Sequence, residues 1–161
     1  MTTIIFIEKN QRNSKKIIIN EIADAVFGSE EQIAFSDEFI PSRCQVPIPK
    51  SQNFANYLLT TPKLLWAIQY ENITVGFILI HDQPHQNAMG ISINSNYSRR
   101  GIATKAFALI KNQSEITYPV FGYTSNRNIS AQRFMEKIGF INQNENINFY
   151  GEDSFMYKFE K

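Results

Sequence analysis

The stretch Ile93-Asn94-Ser95-Asn96-Tyr97-Ser98-Arg99-Arg100-Gly101-Ile102-Ala103-Thr104 reads as a strand end, a short polar loop and the start of a helix. Such a turn leaves several backbone N–H groups of the helix N-terminus without intrahelical acceptors, and the helix dipole adds positive potential there. Together they favour a phosphate or pyrophosphate. Gly101 lets the backbone approach such a ligand, Ala103 keeps the next contact small, and Arg99 and Arg100 add cationic donors. An ordinary strand-to-helix connection with two solvated arginines would carry the same residues, so the surrounding sequence has to decide. The stretch is not a Walker loop, because the Gly-Lys-Ser/Thr ending is missing. Nor is it a dinucleotide fingerprint, which needs three glycines and a later acid.

Working outward, residues 88–94 form a strand, and residues 64–70 and 73–81 form two more around a tight turn at Glu71-Asn72. Pro84 marks a second turn over residues 82–86. After the loop, Ile102, Ala106, Leu109 and Ile110 share one helical face. Residues 118–124 give another strand. Asn126 or Asn128 then caps a helix that turns Ala131, Phe134, Met135 and Ile138 inward, and Gly139 ends it. Residues 147–150 and 154–159 read as a closing hairpin. Towards the N-terminus, residues 2–8 are a strand, and Ser14 caps a helix carrying Ile18, Ile22, Ala25 and Val26. Pro41, Pro47 and Pro49 make residues 36–50 extended, and residues 51–59 form a short helix with Phe54 and Tyr57. The order predicts a mixed α/β sheet of about seven strands with helices on both faces.

Ser98-Arg99-Arg100-Gly101-Ile102-Ala103 resembles the Gln/Arg-x-x-Gly-x-Gly/Ala segment of the GNAT superfamily, the acyl-CoA-dependent N-acyltransferases. Asn128-Ile129-Ser130-Ala131-Gln132-Arg133-Phe134-Met135-Glu136-Lys137-Ile138-Gly139-Phe140 resembles its second motif, an Asn-led helix ending in Glu-Lys-x-Gly-Phe. The resemblance covers residues 64–160. The wording from Ser130 to Lys137 is most similar to the branch that includes ribosomal-protein-alanine acetyltransferases. It implies a GNAT-like fold in which two central strands splay apart and the pantetheine arm of the cofactor lies in the gap. Residues 88–94 would form one side, with Ile91 and Ile93 as backbone partners, and residues 118–124 the other. The amides of Arg99, Arg100, Gly101, Ile102, Ala103 and Thr104 would hold the pyrophosphate. Asn128 would reach the pantetheine, cap its helix, or do both. The implied activity is transfer of an acetyl group from acetyl-CoA to a primary amine, a peptide N-terminus or a small molecule, by direct attack. The alternative is a non-catalytic acyl-CoA-binding module of the same fold.

Three departures from the family bear on chemistry. Ser98 stands where Gln or Arg is usual, a small change because backbone amides do most of the phosphate binding. Met135 stands where many members carry a Tyr that protonates the leaving thiolate, and a thioether cannot donate a proton. A frequent Glu near the start of the central strand is replaced by Asn87 and Ala88. The catalytic residues are therefore open, with His81 and Tyr123 as candidates. Histidine has a suitable pKa, and Tyr123 on the splayed strand can donate a proton. His85 reads more simply as a solvated turn residue, as His81 does, and Tyr123 as a half-buried strand aromatic. Asp82, Glu152 and Asp153 could draw a cationic acceptor, and Arg127 and Arg133 the cofactor 3′-phosphate; as exposed charges they would merely be solvated. Trp66, Phe54 and Tyr57 read as core.

The chain has 161 residues, 43% hydrophobic and 13% aromatic, which predicts one domain over residues 1–161 with a real core. Sixteen Lys and Arg against 15 Asp and Glu leave a net charge of +1, giving no global reason to bind nucleic acid or an anionic membrane. The single cysteine, Cys44, cannot close an internal disulfide, and with two histidines a metal centre is not expected. No apolar run approaches the roughly 18 residues of a membrane span, and no signal-peptide pattern is visible. A soluble, cytoplasmic protein is expected, and nothing in the sequence fixes its oligomeric state.

Overall fold

The computed structural model describes residues 1–31, 54–82, 85–149 and 152–161. Strand β1 (Thr2–Phe6) leads through a short 3-10 turn to helix α1 (Lys16–Glu31). Helix α2 (Phe54–Thr60) precedes three antiparallel strands, β2 (Leu64–Tyr70), β3 (Ile73–His81) and β4 (Ala88–Ile93). Helix α3 (Ile102–Ile110), strand β5 (Val120–Ser125), helix α4 (Ile129–Lys137) and the hairpin β6 (Ile141–Phe149) and β7 (Glu152–Phe159) complete the order. The seven strands form one mixed sheet, as expected, in the order β1-β2-β3-β4-β5-β7-β6, which the sequence reading did not specify.

Alternation across the pleat divides the core into two layers. Leu65, Ala67, Phe77 and Leu79 face α1 and α2, meeting Ile19, Ile22, Ala23, Phe54 and Leu58. Trp66, Ile68, Ile78, Ile80 and Met89 face the other way, meeting Ile102, Ala106, Phe107, Ile110 and Met135 of α3 and α4. At roughly 1.5–3 kcal/mol per buried large apolar side chain, these layers hold the helices to the sheet.

Several local expectations are corrected. Ser14 does not cap α1; its hydroxyl donates to the Gln11 carbonyl at 2.8 Å, inside the preceding turn. The buried face of α1 is Ile19, Ile22 and Ala23, with Ile18 and Val26 at its margins. On α3 the fourth inward residue is Phe107, while Leu109 is 49% exposed. Strand β6 begins six residues earlier than its apolar alternation suggested, at Ile141. The proline-bearing stretch 36–50 and Cys44 lie outside the described residues.

All sheet pairings are antiparallel except one. Strands β4 and β5 run parallel and pair at a single register, Ala88 opposite Phe121. Beyond that apex they diverge, so the two central strands are splayed. Asn87 sits at φ 53° at the apex. Its carbonyl accepts from Phe121 N at 3.0 Å, and its side-chain amide donates to the Pro119 carbonyl at 2.7 Å and also to that of Thr117.

Candidate functional site

The gap between β4 and β5 opens into a cleft of about 770 Å³, roofed by α4 and closed at its far end by the loop leading into α3. Its β4 wall is a line of backbone groups. Asn94 N donates to Val75 O at 2.7 Å, so the even-numbered residues of β4 turn their amides and carbonyls towards β3. Phe121 N donates to Asn87 O, which fixes the odd-numbered residues on the β5 side. Ile91 and Ile93 therefore present backbone groups to the gap, where β5 has moved away.

The loop beyond is tied down by one residue. Asn94 donates through its side chain to the Ala25 carbonyl at 2.6 Å, while its Oδ1 accepts from Asn96 N at 2.8 Å. Ser98 donates to the Ser95 carbonyl at 2.8 Å. Arg99 and Gly101 both adopt left-handed backbone, φ 62° and φ 72°. Left-handed residues near a helix start turn successive N–H groups into one concavity, the geometry of an anion nest. Gly101 is also the N-cap of α3, and an ideal Cβ on it would meet nothing within 4 Å. The space beside its backbone is open.

Ile91, Ile93, Arg99, Gly101, Ile102, Ala103, Thr104 and Asn128 all line this cleft. Arg100 is the exception. Its guanidinium lies over the Tyr97 ring, 5.3 Å from the centroid, and donates to the Asn96 carbonyl at 3.4 Å. Asn128 caps α4, its Oδ1 accepting from Ala131 N at 3.0 Å, and also lines the cleft. Of the two arginines considered for a phosphate, Arg133 lines the cleft and Arg127 does not. Ser130, Phe134 and Lys137 join Arg133 on the cleft face of α4. Ser130 and Lys137 stand three residues before and four after Arg133, on the same helical face, a spacing that could have revealed both from the sequence.

The catalytic candidates separate. Tyr123 lines the cleft just past the apex, is 7% exposed, and its hydroxyl contacts Met156 Sδ at 3.8 Å. Burial pushes its phenol above the ordinary tyrosine value, and the Glu145 carboxylate adds in the same direction. His81 is 3% exposed at the end of β3, not a solvated turn residue, and does not line the cleft. His85 is not simply solvated either. Its ring stacks on Tyr123 at 4.7 Å between centroids and 28° between planes. Asp82 accepts from Asn87 N at 3.0 Å and pairs with Lys63 at 3.9 Å, so it shapes the β3–β4 turn. Asp153 is exposed on β7. Trp66, Phe54 and Tyr57 are core, as expected. Among the described residues no group of His, Cys, Asp or Glu could hold a metal, and no helix is long and apolar enough to cross a membrane.

The family model of the GNAT acetyltransferase domain matches residues 23–141. The chain belongs to the GNAT acetyltransferase family. Solved structures share this GNAT fold at low identity. A GNAT-family acetyltransferase from Bacillus cereus superposes with a TM-score of 0.64 at 17% identity, covering 100% of this chain and 98% of that one. A GNAT-family protein from Desulfovibrio desulfuricans gives 0.63 at 14%, covering 99% of each. A Bacillus anthracis protein, described as a streptothricin acetyltransferase and solved in complex with acetyl coenzyme A, gives 0.52 at 18%, covering 65% of this chain and 66% of that one. No curated protein matches the sequence.

Proposed function

We propose that this chain is a single-domain N-acetyltransferase that moves the acetyl group of acetyl-CoA to a primary amine. The observation that carries the reading is the β4–β5 gap: a strand with backbone groups free of a partner strand, ending in a nest of amides at a helix N-terminus. A long amide-bearing arm with a pyrophosphate at one end is complementary to both. The similar Bacillus anthracis structure, which holds acetyl coenzyme A, supports the choice of donor.

On this reading Ile91 and Ile93 bind the pantetheine amides through the backbone. The amides of Arg99, Gly101, Ile102, Ala103 and Thr104 bind the pyrophosphate, and Asn128 contacts the arm while capping α4. Arg99, Arg133 and Lys137 add positive charge along the cleft. The acetyl thioester supplies the electrophilic carbonyl. Backbone N–H groups of β4 stabilise the developing oxyanion. The neutral amine attacks the carbonyl carbon to give a tetrahedral oxyanion, which collapses with cleavage of the C–S bond. Tyr123 gives its hydroxyl proton to the departing sulfur, the amide nitrogen loses its extra proton to water, and the phenolate regains one from water. A phenol holds its proton at neutral pH in any case, and burial pushes the Tyr123 value higher still. Tyr123 is thus the favoured catalytic residue over His81, because it reaches the cleft. The acceptor is a peptide N-terminus, by the wording of α4, or a small amine.

The second reading, a non-catalytic acyl-CoA-binding module, is favoured by Met135 alone. Two measurements test both. Acetyl-CoA at about 100 times its dissociation constant should stabilise the protein by roughly 2.7 kcal/mol. Turnover should then appear with an Ala-initiated peptide, lysine or putrescine. Binding without turnover would select the module; no thermal shift would remove both readings.

A further inference from the structure

We infer that His85 positions Tyr123 for acyl transfer: its imidazole, brought by the β3–β4 connection, stacks on the phenol from the opposite side of the splayed gap and fixes where the hydroxyl lies. The inference rests on the reading of Tyr123 as proton donor and goes beyond it. Tyr123 stands on β5 two residues past Phe121, the last position that pairs with β4. From there on, the β4 side of β5 has no neighbouring strand to pack a ring against. On the other side β7 supplies the pairing partner Met156, whose sulfur meets the hydroxyl at 3.8 Å, and Ile147 packs nearby. His85 supplies a flat surface from the β4 side, at 4.7 Å and 28°. Offset stacking at this separation is an attractive geometry for two aromatic rings.

The imidazole is itself held by the turn. Asp82 accepts from Asn87 N, and Asn87 is bonded to Phe121 N and to the carbonyls of Thr117 and Pro119. The turn is therefore anchored to both halves of the sheet at the apex, two residues from His85. A proton donor must reach its acceptor within about 2.6–3.2 Å. A ring free to swing would lose that reach, and a displacement of the order of 1 Å costs about 100-fold in rate.

The test is a double-mutant cycle on the full chain, with acetyl-CoA and whichever of an Ala-initiated peptide, lysine or putrescine turns over fastest. Tyr123→Phe should lower kcat about 100-fold or more. His85→Ala should lower kcat about 10- to 100-fold and leave KM for acetyl-CoA within about threefold, because the anion nest is at the other end of β4. His85→Phe keeps a flat ring and should restore kcat to within about threefold of the parent. His85→Ala should add nothing to Tyr123→Phe. A readout independent of turnover is the NMR spectrum of ring-labelled tyrosine. The Tyr123 signals, assigned by their loss in Tyr123→Phe, should move in His85→Ala and stay dispersed in His85→Phe.

Full activity in Tyr123→Phe, or no transfer by the parent, would overturn the proton-donor reading and this inference with it. A slow Tyr123→Phe beside a normal or fully additive His85→Ala would overturn the inference alone. So would Tyr123 ring signals indifferent to His85→Ala, or a His85→Phe protein as slow as His85→Ala.

Discussion

The terminal methyl of Met135 occupies the space that a side chain at Gly122 would need, so helix α4 lies directly on strand β5 at this pair. Met135 is 4% exposed, and Phe140 closes the same contact. Met135 is thus a packing residue that also borders the cleft, and its partner is a strand residue with no side chain.

That pairing predicts a coupled stability series, read by urea denaturation. Met135→Leu should cost less than about 1.5 kcal/mol and leave kcat unchanged. Met135→Tyr should overpack the contact and cost about 1–3 kcal/mol rather than restore a proton donor. Met135→Ala should cost about 2–5 kcal/mol. Gly122→Ala should be destabilising alone and far less so when combined with Met135→Ala, because the vacated space then receives the new methyl. Strict additivity would show that the two residues do not share that space. A large loss of kcat in a stable Met135→Leu protein would give the thioether a role in the chemistry.

Gly101→Val should weaken CoA binding by at least about tenfold while the protein remains folded. A β-branched residue at φ 72° bears a strain of about 1–2 kcal/mol, but no neighbouring atom forbids its Cβ. The side chain would instead stand where the anion approaches the backbone. Isothermal titration with CoA checks this, and unchanged affinity in a folded variant would remove the nest from the binding site.

The pH–rate profile should follow the acceptor. No histidine lines the cleft, so attack waits on deprotonation of the amine itself. With two acceptors whose pKa values differ by at least one unit, the rising limb of kcat/KM should move by a similar amount. A limb fixed near about 6.5 for both acceptors, and lost in His81→Gln, would make His81 the base.

Stability should fall on the alkaline side. Burial raises the pKa of Tyr118, Tyr123 and Tyr157 above the ordinary tyrosine value. In the unfolded chain each ionises near 10, while in the folded protein each keeps its proton to higher pH. The unfolded state then binds fewer protons, so the unfolding free energy decreases as pH rises above about 10. Below that pH both states are protonated and the contribution is complete. Thermal midpoints between pH 8 and 11 check the sign, and a midpoint flat to pH 11 would contradict it.

Much of this architecture could be read from the sequence because the signal was periodic or punctuated. Strands β2 and β3 fell on residues 64–70 and 73–81 as read, since both are apolar runs separated by Glu71-Asn72, whose left-handed backbone makes the turn. The loop from Asn94 to Gly101 was legible because its glycine and arginines stand at a strand-to-helix junction. Strand β6 was half missed: Asn142, Gln143, Asn144, Glu145 and Asn146 carry no apolar alternation, and Asn144 at φ 57° sits where the register with β7 shifts. The exclusion of Arg100 from the cleft could not be read, because it depends on a guanidinium choosing the Tyr97 ring over solvent. Nor could the His85–Tyr123 stack, which joins residues 38 positions apart through the apex of the splay. Long-range contacts of single side chains leave no local pattern.

The single rung between Ala88 and Phe121 divides the sheet into β1-β2-β3-β4 and β5-β7-β6, two ribbons that share little hydrogen bonding. Cooperativity between them passes through Asn87 and through the helices laid across the gap, so each ribbon can act as its own unfolding unit. A bound arm bridging the gap supplies the cross-links that β4 and β5 lack. Native-state hydrogen exchange would then show two protection classes without ligand and one shared class with it, with the ligand behaving as an eighth strand of the sheet.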